Sequence, residues 1–242
     1  MDDNHQQLID SIAPSGRLRA AINFGNIVLA QRFPTGEPQG VSVTLAREMA
    51  ARLGLPLDLV TFDAAGQVFD ALVERGAWDV AFLAIDPQRG TQIDFTSPYV
   101  TIQGTYLVPC DSPFGSTGDV DRPGIRIAAS RGSAYELYLR RHLRHAELVC
   151  ADSPEASFRL FMDGKLDAMA SVRQPLSLLA AEYPGLRVLG DAYMRVDQAI
   201  GTPKGRAPAL RWLNDLIAET KTSGFLAEAL RSSGQGDAVL AP

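Results

Sequence analysis

The sequence is short of the residues on which most enzyme chemistry and most disulfide scaffolds depend. Its 242 residues include two cysteines, Cys110 and Cys150, and three histidines. Two cysteines are too few for a disulfide framework and show no metal-ligand spacing, so they read as free or buried thiols. His142 and His145 lie in the run Arg140-Arg141-His142-Leu143-Arg144-His145. No third ligand is near them in sequence and the arginines repel a cation, so a solvated basic helix face is the reading, not a metal site. Nucleotide loops, nucleophile elbows and zincin motifs are all missing, and no cofactor is expected. No apolar run approaches the roughly 18 residues that cross a bilayer. Positive charge is not in excess either: the net charge is −5, which argues against nucleic acid or anionic membrane as a general partner. The start, Met1-Asp2-Asp3-Asn4-His5-Gln6-Gln7, lacks the basic start and apolar core of a secretory signal. Either the chain is cytoplasmic as encoded or a signal has been removed.

What is present is ordinary for a globular chain: 46% hydrophobic and 21% charged residues, in a length that suits two modest lobes or one large α/β domain. Residues 1–16 read as a loose lead-in with one helical turn at Gln7 to Ile12. Strand Leu18 to Phe24 follows, then a hairpin-like excursion through Pro34-Thr35-Gly36-Glu37-Pro38. A helix capped by Ser42 or Thr44 ends at Gly54, with Pro56 beyond it. Strand Leu57 to Phe62, helix Gln67 to Arg75 and strand Trp78 to Ile85 complete a strand-helix-strand-helix-strand series, the pattern of a parallel sheet with crossover helices.

After strand Thr101 to Pro109, the Asp-, Ser-, Gly- and Pro-rich stretch Cys110 to Arg122 crosses to a second lobe. The cycle restarts there with strand Ile125 to Ala129 and helix Ala134 to Leu143. Strand Glu147 to Cys150 leads to a helix with Ser153 as cap and Pro154 at its first position. Strand Leu166 to Ser171, helix Gln174 to Glu182 and strand Leu186 to Leu189 follow. A link at Gly190 to Val196 returns the chain to strand Gln198 to Thr202, and helices Ala207 to Lys221 and Phe225 to Leu230 close it. Ser232 to Pro242 reads as a mobile tail. The expected division is 1–109 with 197–242 as a discontinuous first lobe and 110–196 as the second, hinged near 107–113 and 190–198.

One stretch carries the functional signal. Trp78 to Tyr99 reads WDVAFLAIDPQRGTQIDFTSPY. It runs as a buried strand, leaves it through Asp86-Pro87 and offers Arg89 just beyond. A cation past the C-terminal end of a buried strand stands where open α/β sheets bind ligands. A guanidinium fork matches a carboxylate; the bland alternative is a loop arginine paired with Asp86 or Asp94.

This stretch, with GVSVTLAREMAARLG at 40–54 and SRGSAYELYL at 130–139, resembles the type 2 periplasmic solute-binding proteins, in the amino-acid-binding branch that serves ABC importers. The similarity spans residue 17 to about 231. It implies a two-lobed α/β clamp, each lobe a mostly parallel sheet flanked by helices, joined by two linking strands. It also implies a small carboxylate ligand, an ABC transporter permease as partner, a monomer, and a periplasmic location. In the family the arginine at the place of Arg89 holds the ligand's α-carboxylate, and the loop at Gly132-Ser133-Ala134 grips it from the second lobe. A helix start supplies free N–H groups and a favourable dipole there, although Ser133 also suits a plain N-cap.

Several positions depart from the family. Where small hydroxyl residues are usual, this chain has Phe82-Leu83-Ala84, leaving a backbone N–H at Ala84 or Asp86 as donor. The Asp that often pairs with a ligand ammonium is replaced by Val172, followed by Arg173. A buried ammonium without a partner is costly, so a standard α-amino acid is not expected. A second anionic or neutral polar group met by Arg173 or Ser171 fits better. Asn23 and Asn26 replace an acid and an aromatic lid. Gln67 is a further candidate beside a plain helix-start role, and Gln103 and Gln198 are weaker ones. The alternative to a receptor is an enzyme on the same scaffold, similar to cyclohexadienyl dehydratases. It would need an acid in the cleft; Asp86 reads as a loop cap and Glu136 as a helix-surface residue. A cytoplasmic ligand sensor is a third reading.

Overall fold

The computed structural model describes residues 3–33, 35–236 and 238–242. In chain order the elements are α1 (Asp3–Ile12), β1 (Leu18–Asn23), β2 (Gln31–Arg32), β3 (Pro38–Gln39), α2 (Val41–Leu53), β4 (Leu57–Phe62), α3 (Ala65–Arg75), β5 (Val80–Ala84), β6 (Ile93–Phe95) and β7 (Val100–Pro109). They continue with β8 (Arg126–Ser130), α4 (Ala134–His142), β9 (Glu147–Ala151), α5 (Pro154–Asp163), β10 (Ala168–Val172), α6 (Arg173–Glu182), β11 (Leu186–Val188), β12 (Met194–Pro203), α7 (Ala207–Thr222), α8 (Phe225–Ser232) and β13 (Val239–Leu240). The chain divides into two units, Met1–Thr101 with Asp197–Pro242, and Ile102–Val196. Strands β7 and β12 carry the chain across these divisions. On β7 the division falls upstream of residue 109, because the later part of the strand pairs with β10 and β11 of the second unit.

In the first unit β1 pairs in parallel with both β4 and β5, and β12 runs antiparallel to β5. A single face of this sheet and α3 bury Phe62, Val68, Trp78, Leu83 and Ile93 together. The Trp78 indole, fully buried, donates to the Val68 carbonyl at 2.8 Å, so its one polar group is satisfied inside the core. Asp79 is also fully buried and is bonded by Arg19 at 2.8 Å and Arg206 at 3.1 Å, which ties β1, β5 and the start of α7 together.

Within the second unit β10 runs antiparallel to β7 and parallel to β8, and β8 runs parallel to β9. Its core packs Leu107, Ala128, Phe161, Leu166, Met169 and Leu176. In both units the parallel strands point their C-terminal ends at the stretches where the sequence places its candidate residues: Asn23, Ala84, Ser130 and Val172 close β1, β5, β8 and β10.

Three sequence expectations are corrected. The lead-in is a full helix, α1, which packs on α7 and buries Ile12 completely; its pairing with a distant helix is not a local signal. The cap of α2 is Gly40, without a side-chain bond, and Ser42 lies buried inside the first turn. Gly40 has φ 110°, and a Cβ there would stand 2.6 Å from the Leu29 carbonyl oxygen, so glycine is required by both backbone and space. The tail is ordered in part: β13 pairs with Val100 and Thr101, and Ala241 donates to the Tyr99 carbonyl at 3.1 Å. Pro34, in the expected excursion, and Asp237, in the tail, lie outside the described residues; the excursion's flanks pair as β2 and β3.

Candidate functional site

Arg89 sits in a single 3-10 turn, Arg89–Thr91, that begins past the end of β5. The turn is set by Asp86, whose carboxylate accepts from the Gln88 N–H at 2.8 Å, as an Asx turn does. The loop thus folds back on the strand it has left, and Arg89 is 1% exposed. Its Nη1 donates to the Ala84 carbonyl at 2.9 Å. Burial pulls the guanidinium down to about 10, and the nearby charge of Asp86 offsets this only in part.

Around the same sheet end lie Asn23 and Asn26, both buried. Their side-chain oxygens accept from Gly25 N–H at 2.9 Å and Val28 N–H at 3.2 Å, which shapes the loop after β1. Gln67 does a helix-start task, accepting from the Asp63 N–H at 3.1 Å. Sequence reasoning passed over Arg32, which lies 4.1 Å above the Phe24 ring and pairs with Asp63 at 2.8 Å.

In the second unit Ser133 caps α4 and accepts from the Glu136 N–H at 3.1 Å. The Glu136 carboxylate reaches back to the Gly132 N–H at 3.1 Å. Ser133 N–H donates to the Ser130 carbonyl at 3.1 Å. Two of the three N–H groups expected to grip an anion are therefore spent on the loop itself. Ala134, the first residue of the helix, keeps an N–H outside the intrahelical ladder. Glu136 is not the helix-surface residue expected: it is 2% exposed, with Arg140 and the Cys150 thiol on its other oxygen. The S-x-x-E spacing of Ser133 and Glu136 is the signal that shows this in the sequence.

Tyr135, in the first turn of α4, is buried. Burial pushes its hydroxyl up, opposed by hydrogen bonding with Ser171, Ser133 and Ser130. Three buried serines and a tyrosine thus share the ends of β8 and β10. Val172, buried, closes β10. Arg173 is bonded within its own unit: Nε donates to Gln103 Oε1 at 2.7 Å, and the other nitrogens to the carbonyls of Leu189, Gly190 and Asp191 at 3.0, 3.1 and 2.8 Å. His142 stacks on Tyr138 with centroids 3.9 Å apart. Cys110 is exposed and Cys150 half-buried, both as free thiols.

Two α/β units, each carrying polar groups at its strand ends, define the periplasmic-binding-protein class of fold. The chain belongs to the bacterial extracellular solute-binding proteins, family 3, whose model matches residues 30–233. It is 26% identical over 194 residues to the L-cystine-binding protein TcyJ of Escherichia coli K12, across 79% of this chain and 72% of that one. It is also 26% identical over 180 residues to cyclohexadienyl dehydratase of Pseudomonas aeruginosa, across 74% of this chain and 67% of that enzyme. Among solved structures, a solute receptor for L-cysteine of Neisseria gonorrhoeae superposes with TM-score 0.80 at 23% identity, covering 93% of this chain and 92% of the other.

Proposed function

We propose that this solute-binding protein receives a small carboxylate that is not a standard α-amino acid, and delivers it, as a monomer, to an ABC-type permease outside the cytoplasmic membrane. In the first unit the carboxylate's donor is Arg89, past the end of β5; in the second unit the group suited to an anion is the Ser133–Ala134 helix start. The observation that carries this reading is Arg89 itself. A guanidinium 1% exposed at a strand end, with its pKa pulled down by burial, gains most from an anion that arrives with the ligand. Val172 supplies no charge for an ammonium, and Arg173 is committed to the link.

Binding is favoured over dehydration. Asp86 is bonded to its own loop and Glu136 is paired with Arg140, so neither acid is placed as a proton donor to a leaving hydroxyl. The relative named a dehydratase keeps the question testable: purified protein is expected not to turn over prephenate or arogenate. The ligand class is tested by native mass spectrometry and a thermal-shift screen of amino, keto, hydroxy and dicarboxylic acids. A carboxylate is expected to raise the melting temperature, and Arg89→Ala is expected to remove that shift. A shift that survives Arg89→Ala counts against the carboxylate reading.

A further inference from the structure

The second unit holds a cavity of about 650 Å³ whose lining residues all fall between Pro109 and Leu186. Ile125 and Asp167, which line it, directly precede β8 and β10, so it lies at the N-terminal ends of those strands. Ser130 and Val172 close the same strands at their other ends, so the cavity is separate from the candidate site.

Its size is that of a small-molecule site, roughly 300–1,000 Å³. Phe114, Phe161 and Leu166, all buried, give it apolar walls, and Met162 stands 41% exposed beside them. The loop wall is held in shape by Arg187, which donates to the carbonyls of Ser112 at 2.9 Å and Phe114 at 2.7 Å.

Four charged residues line the cavity as well, and two are occupied. Arg122 pairs with Asp119 at 2.6 Å, and the Asp167 carboxylate accepts from the Arg126 N–H at 2.7 Å. Asp111 and Lys165 remain, both exposed, and neither side chain has an ion partner or a hydrogen bond among the described residues. Lys165 is also the one non-glycine residue among them with a positive φ, 44°. It follows Gly164 at the stop of α5, a place where glycine is usual. A lysine there costs backbone strain that glycine would not, and residues kept at such a cost gather at ligand sites.

We propose that this cavity is a second ligand site, and that it takes a zwitterion with an apolar body, an apolar amino acid or short apolar peptide. The carboxylate pairs with Lys165, the ammonium with Asp111, and the body lies against Phe114, Phe161 and Met162. The proposal does not rest on Arg89 or on the carboxylate reading above.

The test follows the methionine methyl resonances of the protein labelled with ¹³C at those methyls, during titration with phenylalanine and with leucylphenylalanine. The Met162 signal is expected to move while that of Met49, in the first unit, stays. Two controls each lack one charge: 3-phenylpropionate has no ammonium and phenethylamine no carboxylate. Both pairs are exposed, so each control should need only about three- to fivefold more ligand than the better zwitterion. Lys165→Gly should remove the advantage over phenethylamine and raise the thermal midpoint, because glycine adopts this φ without strain. Asp111→Asn should remove the advantage over 3-phenylpropionate. Arg89→Ala should leave the Met162 response intact. A Met162 signal that no probe moves, or that the controls move equally, overturns the proposal. So does discrimination that survives both Lys165→Gly and Asp111→Asn, or a response lost in Arg89→Ala. A Met162 signal that shifts with protein concentration alone, together with a dimer in analytical ultracentrifugation, would assign the cavity to a second copy of the chain and overturn it too.

Discussion

Arg173 Nε and Gln103 Oε1 lie 2.7 Å apart and join the start of α6 to β7. The same guanidinium holds the carbonyls of Leu189, Gly190 and Asp191, so one side chain fastens both stretches of chain that leave the second unit. Arg173→Met should free three carbonyls and cost about 2–3 kcal/mol of stability, read as a lower urea midpoint. If the side chain serves the link and not the ligand, affinity should change by less than about threefold, well below the charge-assisted loss expected at a ligand contact.

The Tyr193 ring covers Gly104, and the Tyr193 N–H donates to the Gly104 carbonyl at 3.0 Å. A Cβ at position 104 would approach Met194 Cγ to 2.6 Å and the Tyr193 ring to 3.2 Å. Gly104→Ala should therefore displace Met194 and Tyr193 and cost about 1–3 kcal/mol, the range for overpacking. Tyr193 also packs on Tyr106 with centroids 4.6 Å apart, so near-ultraviolet circular dichroism should change together with the thermal midpoint.

Asp79 is buried and bonded by both Arg19 and Arg206. Asp79→Ala leaves two guanidinium groups facing a cavity without their anion, and a loss of about 3–5 kcal/mol is expected from denaturant unfolding. Asp79→Asn should be milder, because the amide oxygen still accepts one of those bonds.

The pH dependence of binding follows from Arg89. Its folded pKa is lowered to about 10 by burial, against the partial opposition of Asp86. A bound carboxylate favours the protonated form, so the pKa rises in the complex. Affinity should be level below that value and fall as pH rises through about 10, by up to tenfold per unit. For folding alone the sign is opposite: a cation whose pKa is lowered on folding is a burden while it is charged, and that burden lifts as pH rises through the same value. Affinity that is flat well above pH 10, in protein still folded by circular dichroism, would separate Arg89 from the ligand.

Ser133→Ala removes the bond to the Glu136 N–H and should cost about 1 kcal/mol as a lost helix cap. Glu136→Gln tests the loop instead: it keeps the shape but weakens the pair with Arg140 and the hold on the Gly132 N–H. Its expected signature is increased hydrogen exchange at residues 130–134, with helix α4 itself preserved.

Local pattern alone was enough for the alternation of strands and helices and for the helix stop at Gly54, because these depend on periodicity and on glycine's access to the left-handed region. It also determined that a cation follows β5, since the turn at Asp86 is a matter of adjacent residues. Tertiary structure decided what each polar group is left to do. That Arg173 spends its charge on residues 103 and 189–191, and that Glu136 is buried and takes the Gly132 N–H, both depend on which groups arrive beside them in the folded chain. Hydrogen-bond supply and demand in a folded interior is settled by contacts far apart in the chain, and no spacing rule along the chain encodes it.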